Sequence, residues 1–493
     1  MKELMIHLQA NSDLALYEQI YKYIKNSMMD GKIAQGERLP STRLLATHLQ
    51  VSRSTIELAY EQLVSEGYIK PVPGSGYFAC AIGGVYQLQK DEHHDRADAY
   101  GQRKIDKATH VGEKRGKAGR EREKERAYAY DFSPNVTEWS EFSMNAWRKA
   151  SKLTLQGDTE KLFLTGSPLG EEKLRQAICG YLYHARGVNS SAHQIIIGAG
   201  NEYLLMLLSQ MLPGISCVAM ESPTYGQAYH TFCNLNWKVS PIAMDASGIC
   251  LEPIRKKNAQ LIYVMPSHQF PIGTIMPMNR RMELLNWAGQ KEGRYIIEDD
   301  YDSEFRYKGR QIPSLQGNDQ SGSVIYLGTF SKSIAPAIRV SYMVLPLKLM
   351  EIYHSKCGFY SSTVSRIQQE TLFHFMEEGY FERHLNKMRG IYKTRHDCLL
   401  SELKKCSWVA HIFGENAGLH LLVQVHTGKT EEAVTKAAQA MDVRVYGLKE
   451  YMIGNHTIEE HKMSGCPTFI LGFAGLTEKE IVEGMKRLDT VLK

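Results

Sequence analysis

A run of dense, mixed charge divides this sequence and constrains its fold more than any other feature. Residues 90–126 hold twelve Lys or Arg and nine Asp or Glu, with few apolar residues among them. Such a segment cannot bury enough apolar surface to form a core, so it is predicted to be a flexible or partly helical linker. We therefore expect a small domain at residues 1–80, a charged linker at 81–127 and a large domain at 128–493.

Composition places both flanking segments among ordinary folded proteins. Hydrophobic residues make up 43% of the 493 and charged residues 23%, which excludes collagen-like, coiled-coil and wholly disordered classes. The nine cysteines are scattered without a CxxC pair, so neither a structural metal nor a disulfide is expected. The first ten residues are too mixed for a leader, and no apolar run approaches the roughly 18 residues of a membrane helix. A cytoplasmic protein without a membrane partner is expected.

Between residues 14 and 67 the sequence predicts three amphipathic helices, since apolar residues recur at three- and four-residue spacing. Ser52, or Ser54 with Glu57 three residues later, is placed to cap the third helix. Residues 68–78 follow as two short β-segments around a turn rich in Pro and Gly. This order of elements is typical of a winged helix-turn-helix.

In a winged helix-turn-helix the third helix enters the major groove of DNA, so residues at its start face base edges and phosphates. Arginine reads guanine through two parallel hydrogen bonds, whereas Ser and Thr hydroxyls more often contact phosphates. The candidate DNA-binding residues are Arg43, Ser52, Arg53, Ser54 and Thr55, with Gly74, Ser75 and Gly76 in the wing. Residues 1–80 carry eight basic and eight acidic residues, so charge alone leaves a protein-interaction module equally open.

Residues 39–78, LPSTRLLATHLQVSRSTIELAYEQLVSEGYIKPVPGSGYF, resemble the winged helix-turn-helix of the GntR family of bacterial repressors. In that family the arginine after Pro-Ser, the Ser-Arg-x-Thr turn and the Gly-x-Gly wing contact DNA. They correspond here to Arg43, residues 52–55 and residues 74–76. The resemblance implies a double-stranded DNA operator as partner. A non-specific DNA-contacting arm is then the alternative use of the charged linker.

Motifs of the C-terminal segment carry residues suited to one chemistry. A buried-type strand ends in Asp299, where open α/β sheets place ligand contacts. The next strand runs into GTFSKS (328–333), where Lys332 can form a Schiff base, and Arg339 lies beyond. A Gly-Ala-Gly-Asn-Glu turn at 198–202 opens an apolar helix, whose N-terminus favours a phosphate. Tyr225 follows another strand and can stack on a planar ring.

Each of these signals is weak alone, but together they match what pyridoxal phosphate requires. The cofactor needs an aspartate that keeps its pyridine nitrogen protonated and a lysine that forms the internal aldimine. It also needs hydroxyl and arginine groups that hold its phosphate. The sequence therefore predicts a pyridoxal phosphate site in an α/β domain.

In chain order the same motifs recur as in fold-type I aminotransferases, and this resemblance covers nearly the whole C-terminal domain. Joined to a GntR-like winged helix, it resembles the MocR subfamily of bacterial transcription regulators, with a site closest to the GABA-responsive GabR type. The matching strings are PSHQFPIGTIMP (266–277), YIIEDDYDSEF (295–305), GTFSKS (328–333), SYMVLP (341–346) and NAGLH (416–420).

The resemblance assigns a role to each candidate residue. It implies that Lys332 carries the aldimine, that Asp299 pairs with the pyridine nitrogen, that Tyr301 bonds the ring hydroxyl and that Tyr225 stacks on the ring. Phosphate contacts are implied for Thr329, Ser331 and Arg339, with help from the backbone at Gly200, Asn201 and Glu202. Fold-type I proteins generally dimerise through this domain, so a homodimer on repeated half-sites is implied as well.

The effector subsite departs from the family pattern. In the GABA-responsive type two arginines hold the carboxylate of the effector, and the corresponding positions here are Gln227 and Glu450. A carboxylate ligand facing Glu450 would be repelled rather than clamped, although Lys449 is near enough in sequence to compensate. Gln227 and Glu450 are therefore the candidate effector-binding residues.

The sequence as a whole predicts a pyridoxal-phosphate-dependent transcription regulator. It would bind DNA through the winged helix and sense an amine or amino acid by external aldimine formation. The alternative is an active aminotransferase whose DNA-binding module regulates its own gene, because Lys332 and Asp299 are equally compatible with turnover. A scaffold that does not bind DNA is a third hypothesis.

Overall fold

The computed structural model describes residues 14–72, 74–80, 128–138, 140–157, 159–212, 214–307, 312–454 and 466–493, together with Ile6 and Leu8. The predicted linker, residues 81–127, lies outside these described residues. Within them the chain forms a small N-terminal domain and a large α/β domain. None of the helices in this described part has both the length and the apolar composition needed to cross a membrane.

The small domain has three helices followed by a two-stranded antiparallel wing. Its elements are α1 (Leu16–Met29), α2 (Thr42–Leu49), α3 (Arg53–Ser65), β1 (Ile69–Val72) and β2 (Gly76–Ala79). Ile20 and Ile24 of α1 pack with Ile56 and Leu63 of α3, and all four are fully buried. The predicted winged helix-turn-helix is confirmed.

The start of α3 shows which of the two predicted caps forms. Ser52 has an extended backbone, and its side chain accepts a hydrogen bond from Thr55 N at 3.2 Å. Glu57 does not complete a capping box with Ser54. Its carboxylate instead accepts from Arg53 Nε at 2.7 Å, one helical turn earlier. Because the helix begins at Arg53, Ser54 already lies inside it and cannot be its N-cap.

The large domain alternates helices and strands. Its helices are α4 (Met144–Gln156), α5 (Thr159–Leu162), α6 (Glu172–Arg186), α7 (Asn201–Met211), α8 (Gly226–Asn234), α9 (Leu251–Lys256), α10 (Met278–Gly289), α11 (Phe330–Ser333), α12 (Leu347–Lys356), α13 (Arg366–Glu377), α14 (Tyr380–Lys405), α15 (Glu431–Ala440) and α16 (Glu478–Leu492). Its strands are β3 (Tyr130–Asp131), β4 (Ile195–Gly198), β5 (Cys217–Glu221), β6 (Lys238–Ile242), β7 (Met244–Asp245), β8 (Gly248–Ile249), β9 (Leu261–Val264), β10 (Tyr295–Asp300), β11 (Val324–Thr329), β12 (Ser341–Val344), β13 (Val409–Phe413), β14 (His420–Val425), β15 (Val443–Arg444), β16 (Tyr446–Gly447) and β17 (Thr468–Gly472).

A central sheet positions the chemistry of this domain. Over the residues described it has seven strands in the order β4-β12-β11-β10-β9-β5-β6, and only β12 runs antiparallel to its neighbours. Strands β5, β9 and β10 are almost wholly buried, as expected for a sheet covered by helices on both faces. The carboxyl ends of its parallel strands therefore share one edge, where such sheets hold ligands. This arrangement confirms the predicted α/β class.

A second sheet lies towards the C-terminus. Strands β13, β14, β17 and β16 are antiparallel neighbours in that order. Helices α14, α15 and α16 share an apolar cluster with β14 and β17, which packs these helices against this sheet. Its β14 begins with His420, whose ring lies 5.4 Å from that of His268.

The winged domain packs directly against the start of α10. Met278 N donates a hydrogen bond to Glu66 O at 3.0 Å. Gly67 follows with a φ of +75°, a left-handed conformation that favours glycine, and lies over Pro277. The apolar cluster inside the winged domain is continuous with the cluster around Trp287 of α10.

The side chain of Glu66 organises the face of the winged domain that makes this contact. It is only 1% exposed and lies 3.8 Å from Lys25 Nζ. Tyr21 donates its hydroxyl to the same carboxylate at 2.7 Å, and the Gln62 amide donates to the other oxygen. Burial lowers the pKa of Lys25, and Glu66 opposes that shift. The buried carboxylate is thus paired and hydrogen-bonded, as a charge away from water must be.

We predict that Gly67→Ala weakens the packing of the two domains. Left-handed backbone costs a non-glycine residue about 1–2 kcal/mol. An added Cβ at Gly67 would also lie 2.6 Å from Pro277 Cβ. Gly31→Ala is the matched control, because its φ is +71° and a Cβ there meets nothing within 4 Å. Thermal unfolding should show a larger loss of Tm for Gly67→Ala, whereas equal losses would contradict the contact.

Candidate functional site

A cleft opens at the carboxyl ends of β10 and β11, the edge where sheets of this kind hold ligands. The ten residues that the sequence named for cofactor binding all line it, although they come from positions as far apart as 200 and 339. Asn135, Met265, Phe270 and Ser341 line it as well. The fold therefore gathers the dispersed motifs into one site.

Lys332 lies in the cleft on the short helix α11, directly after β11. Its Nζ donates hydrogen bonds to the carbonyls of Pro134 and Asn135, each at 3.2 Å. Burial lowers the pKa of Lys332 to about 8, and Asp302 opposes this shift. The amine is consequently far easier to deprotonate, and so more nucleophilic near neutral pH, than that of an exposed lysine.

Asp299 lies near the end of β10 and is 4% exposed. Tyr263 donates its hydroxyl to one carboxylate oxygen, and Asn201 Nδ2 lies 3.4 Å from the other. Burial raises the pKa of Asp299 to about 7, while the Tyr263 hydrogen bond opposes the shift. Both recorded partners are neutral, so the carboxylate would gain from a cationic ligand group.

The opposite end of the cleft contains groups suited to binding an anion. Gly200 has a φ of +102° immediately before α7, and a Cβ there would lie 2.2 Å from Arg339 Nη2. Arg339 is held at this point by Glu202, with 3.0 Å between Nη2 and Oε2. Thr329 Oγ1 accepts from Ser331 N at 3.1 Å on the facing turn. A helix N-terminus, a guanidinium and hydroxyls therefore converge there.

Aromatic rings form the walls between these two ends. The ring of Phe270 lies edge-on to those of Tyr225 and Tyr301, with 6.1 Å between centroids in each case. The hydroxyl of Tyr301 lies 3.0 Å from His268 Nδ1, which is also 2.9 Å from Asp302. The walls thus suit a flat ring, and the His268–Asp302 pair orients the Tyr301 hydroxyl.

Sequence reasoning missed several members of this site. Phe270 and His268 stand inside the string 266–277 that carried the family resemblance, so that string contained a signal for them. Tyr263 sits in an apolar strand, where a tyrosine is indistinguishable from core. Asn135 contributes a backbone carbonyl, which has no sequence signal at all.

The two candidate effector residues lie at the rim. Gln227 accepts a hydrogen bond from the Tyr225 hydroxyl through its Oε1. Glu450 is exposed, next to Tyr451, whose ring packs at 5.3 Å on Phe270. Neither of the two is among the described residues that line the cleft itself. Both can therefore act on a ligand only where it extends past Tyr225 or Tyr451.

The candidate DNA-binding side chains lie on the exposed side of the winged domain. Arg43 is exposed in the first turn of α2, and Arg53 and Ser54 are exposed at the start of α3. The Oγ of Ser52 lies 2.8 Å from that of Ser54 and 2.7 Å from Thr55 Oγ1. The fold thus presents two guanidinium groups and a cluster of hydroxyls on adjoining helices.

The wing turn brings the remaining candidates together. Gly74 and Gly76 both have positive φ, at +73° and +103°. Ser75 N donates to Val72 O at 2.9 Å, which closes the turn between β1 and β2. Only glycine adopts these backbone angles readily, so the tip stays narrow enough for close approach to another surface.

Comparison with known proteins accounts for both domains. The family "Bacterial regulatory proteins, gntR family" matches residues 16–78, and "Aminotransferase class I and II" matches residues 133–488. The uncharacterized HTH-type transcriptional regulator YdeL of Bacillus subtilis is 39% identical over 99% of this chain and 98% of its own. The probable rhizopine catabolism regulatory protein MocR of Rhizobium meliloti is 30% identical over 98% of this chain and 95% of its own. The chain belongs to the MocR/GabR-type family of HTH-type transcriptional regulators.

Solved structures show the fold of the large domain of this MocR/GabR-type protein. The multiple substrate aminotransferase of Thermococcus profundus superposes with a TM-score of 0.65 at 24% identity, covering 75% of this chain and 92% of that one. The kynurenine aminotransferase of Pyrococcus horikoshii gives 0.64 at 23% identity, covering 75% and 91%. At this identity the likeness shows a fold-type I aminotransferase architecture and nothing about substrates.

We predict that Lys332 reacts with small amine-directed reagents at lower pH than an ordinary lysine. Burial lowers its pKa to about 8, so its amine loses the proton early as the pH rises. Labelling of the ligand-free protein by trinitrobenzenesulfonate, followed by mass spectrometry of each lysine-containing peptide, measures this midpoint. Lys348 is the internal control, because its ion pair with Glu292 raises its pKa. A Lys332 midpoint at or above that of Lys348 would contradict the environment described.

Proposed function

We propose that this MocR/GabR-type protein is a pyridoxal-phosphate-dependent transcription regulator. Its winged domain would bind an operator in double-stranded DNA, and an amine or amino acid in the cleft would change that binding. The single observation that carries the proposal is the cleft, where a nucleophilic lysine, a buried carboxylate and an anion cradle face one another. The gntR-type domain supports DNA as the partner.

The residues present fit pyridoxal phosphate at each of its ends. Asp299 lacks a cationic partner among its recorded hydrogen bonds, and it would hold a proton on the pyridine nitrogen. The cradle at Gly200, Ser331 and Arg339 would hold the phosphate. Between these ends Asn201 Oδ1 is buried and has no hydrogen-bond partner among the described residues, as a group awaiting a ligand would be.

When bound, pyridoxal phosphate supplies an aldehyde carbon that condenses reversibly with amines. Lys332 would provide the protein's own amine for that carbon and would accept or return a proton at its Nζ. The Pro134 and Asn135 carbonyls orient that Nζ. Tyr301 would direct its hydroxyl to the ring oxygen, steadied by His268, and Tyr225 would cover one face of the ring.

The residues at the rim of the cleft, Gln227 and Glu450, would determine which class of effector binds. The ligand needs an amine to compete with Lys332, and past Tyr225 it meets the Gln227 amide and the Glu450 carboxylate instead of a guanidinium pair. A second anionic group reaching Glu450 would be repelled. An amine or amino acid with a neutral or cationic far end is favoured over a dicarboxylate.

One segment, residues 265–278, links the cleft to the winged domain. Met265 and Phe270 line the cleft, and Met278 N donates to Glu66 O at the other end. A ligand that shifts this segment would therefore change how the winged domain packs against the large domain. The shift can alter DNA binding only by the difference in ligand affinity between the two arrangements, commonly about 1–3 kcal/mol.

We predict that Lys332→Ala abolishes the visible absorbance that pyridoxal phosphate gives with the wild-type protein, because the amine at the aldehyde is gone. Lys348→Ala, at an exposed lysine, should keep it. Both variants should still bind a DNA duplex selected by the wild type. A coloured Lys332→Ala protein that borohydride reduces to a fixed adduct would contradict the assignment.

The same preparations separate a regulator from an enzyme. Incubated with amino donors and a keto acid, a regulator should show no sustained turnover. Turnover at about 1 per second or faster, typical of enzymes, would favour the aminotransferase instead.

A further inference from the structure

Helix α3, the recognition helix of the proposed DNA-binding domain, has an acidic residue, Glu57, at a position where base-contacting side chains are expected. Arg53, Ser54, Glu57 and Leu58 lie on its first two turns and share one exposed face, since residues three and four apart are neighbours on a helix. Leu58 is 47% exposed, and the side chain of Glu57 is 40% exposed. The first turns of such a helix are the part that contacts base edges. Glu57 is therefore placed to meet a base.

Glu57 is also paired with the arginine one turn before it. Arg53 Nε donates to its Oε1 at 2.7 Å, so the two side chains form an ion pair on the helix surface. Arg53 keeps its terminal nitrogens available, with 67% of its side chain exposed. The pair thus offers guanidinium donors and a carboxylate acceptor side by side.

The chemistry of the major groove decides what such a pair can read. An ionised carboxylate accepts hydrogen bonds and donates none. Cytosine presents a lone N4 donor, whereas adenine places its N7 acceptor beside its N6 donor and would repel part of a carboxylate. Guanine presents the O6 and N7 acceptors that a guanidinium bonds in parallel. Arg53 with Glu57 therefore matches guanine and cytosine next to each other.

We propose that Glu57 is a specificity-determining residue that accepts a hydrogen bond from cytosine N4, beside a guanine read by Arg53. The proposal rests on the DNA-binding function proposed above. It differs from a purely positioning role, in which Glu57 would only hold Arg53 in place.

A carboxylate on this face also discriminates against the wrong duplex. Close to DNA phosphates it is repelled, and only a cytosine donor at the right position offsets that repulsion. Removing the charge should therefore raise binding to unrelated DNA while weakening sequence preference.

The test is selection of bound duplexes from a randomised DNA library by the full-length protein, followed by sequencing. Wild type should enrich cytosine at one position per half-site. Glu57→Gln should move that preference to adenine, because glutamine bonds adenine N6 and N7 together. Glu57→Ala should lower the cytosine preference at that position by about tenfold and bind unselected duplex more tightly. Glu61→Gln, one turn further along and also exposed, should leave the pattern unchanged.

The outcomes separate this inference from the function on which it rests. If wild type enriches a motif and Glu57→Gln shows the same base preferences, the inference is overturned but the DNA-binding function stands. Glutamine can still accept a hydrogen bond from Arg53, so a purely positioning role would survive this substitution. No enriched motif with any of the proteins overturns the DNA-binding function, and this inference with it.

Discussion

The buried guanidinium of Arg281 holds together the segment on which both domains of this protein depend. Its Nη2 donates to Pro266 O and its Nε to Met276 O, both at 2.9 Å, and Nη1 donates to Pro313 O at 2.6 Å. Met276 N donates to Pro266 O as well, also at 2.9 Å. These bonds close the ends of a loop whose middle reaches the cleft. Burial lowers the pKa of Arg281, and Glu298 opposes that shift.

Because hydrogen bonds join its two ends, we expect the loop to move as a unit. On one side Phe270 walls the cleft and His268 contacts Tyr301. On the other side Pro277 lies under Gly67, and Met278 bonds Glu66. In the proposed function this loop is the element whose position both sites could bias, which is the physical requirement for coupling. The loop contains the string 266–277, which carried the family resemblance. Its contact with the winged domain is a tertiary contact, which the sequence alone does not predict.

What the sequence predicted well depended on local rules. Helical periodicity and the Ser52 cap predicted the winged domain, and the strand-end motifs together with the family resemblance named ten cofactor candidates, which line one cleft. The Glu57 capping box failed because Ser52 caps the helix, which places Ser54 inside it, and Glu57 pairs with Arg53 instead. The contact between Gly67 and Pro277 could not be predicted, since 210 residues separate them and neither has a pattern that names the other. Tyr263 beside Asp299 was missed for the same reason.

The central claim is that residues 265–278 connect the cleft, where we propose that pyridoxal phosphate binds, to the winged domain. Hydrogen–deuterium exchange of the full-length protein, with and without pyridoxal phosphate, tests it most directly. The account predicts that the cofactor changes exchange at 265–278 and, beyond the cleft, at residues 66–70 where α3 ends and β1 begins. Changes confined to the cleft, with residues 66–70 untouched, would contradict it.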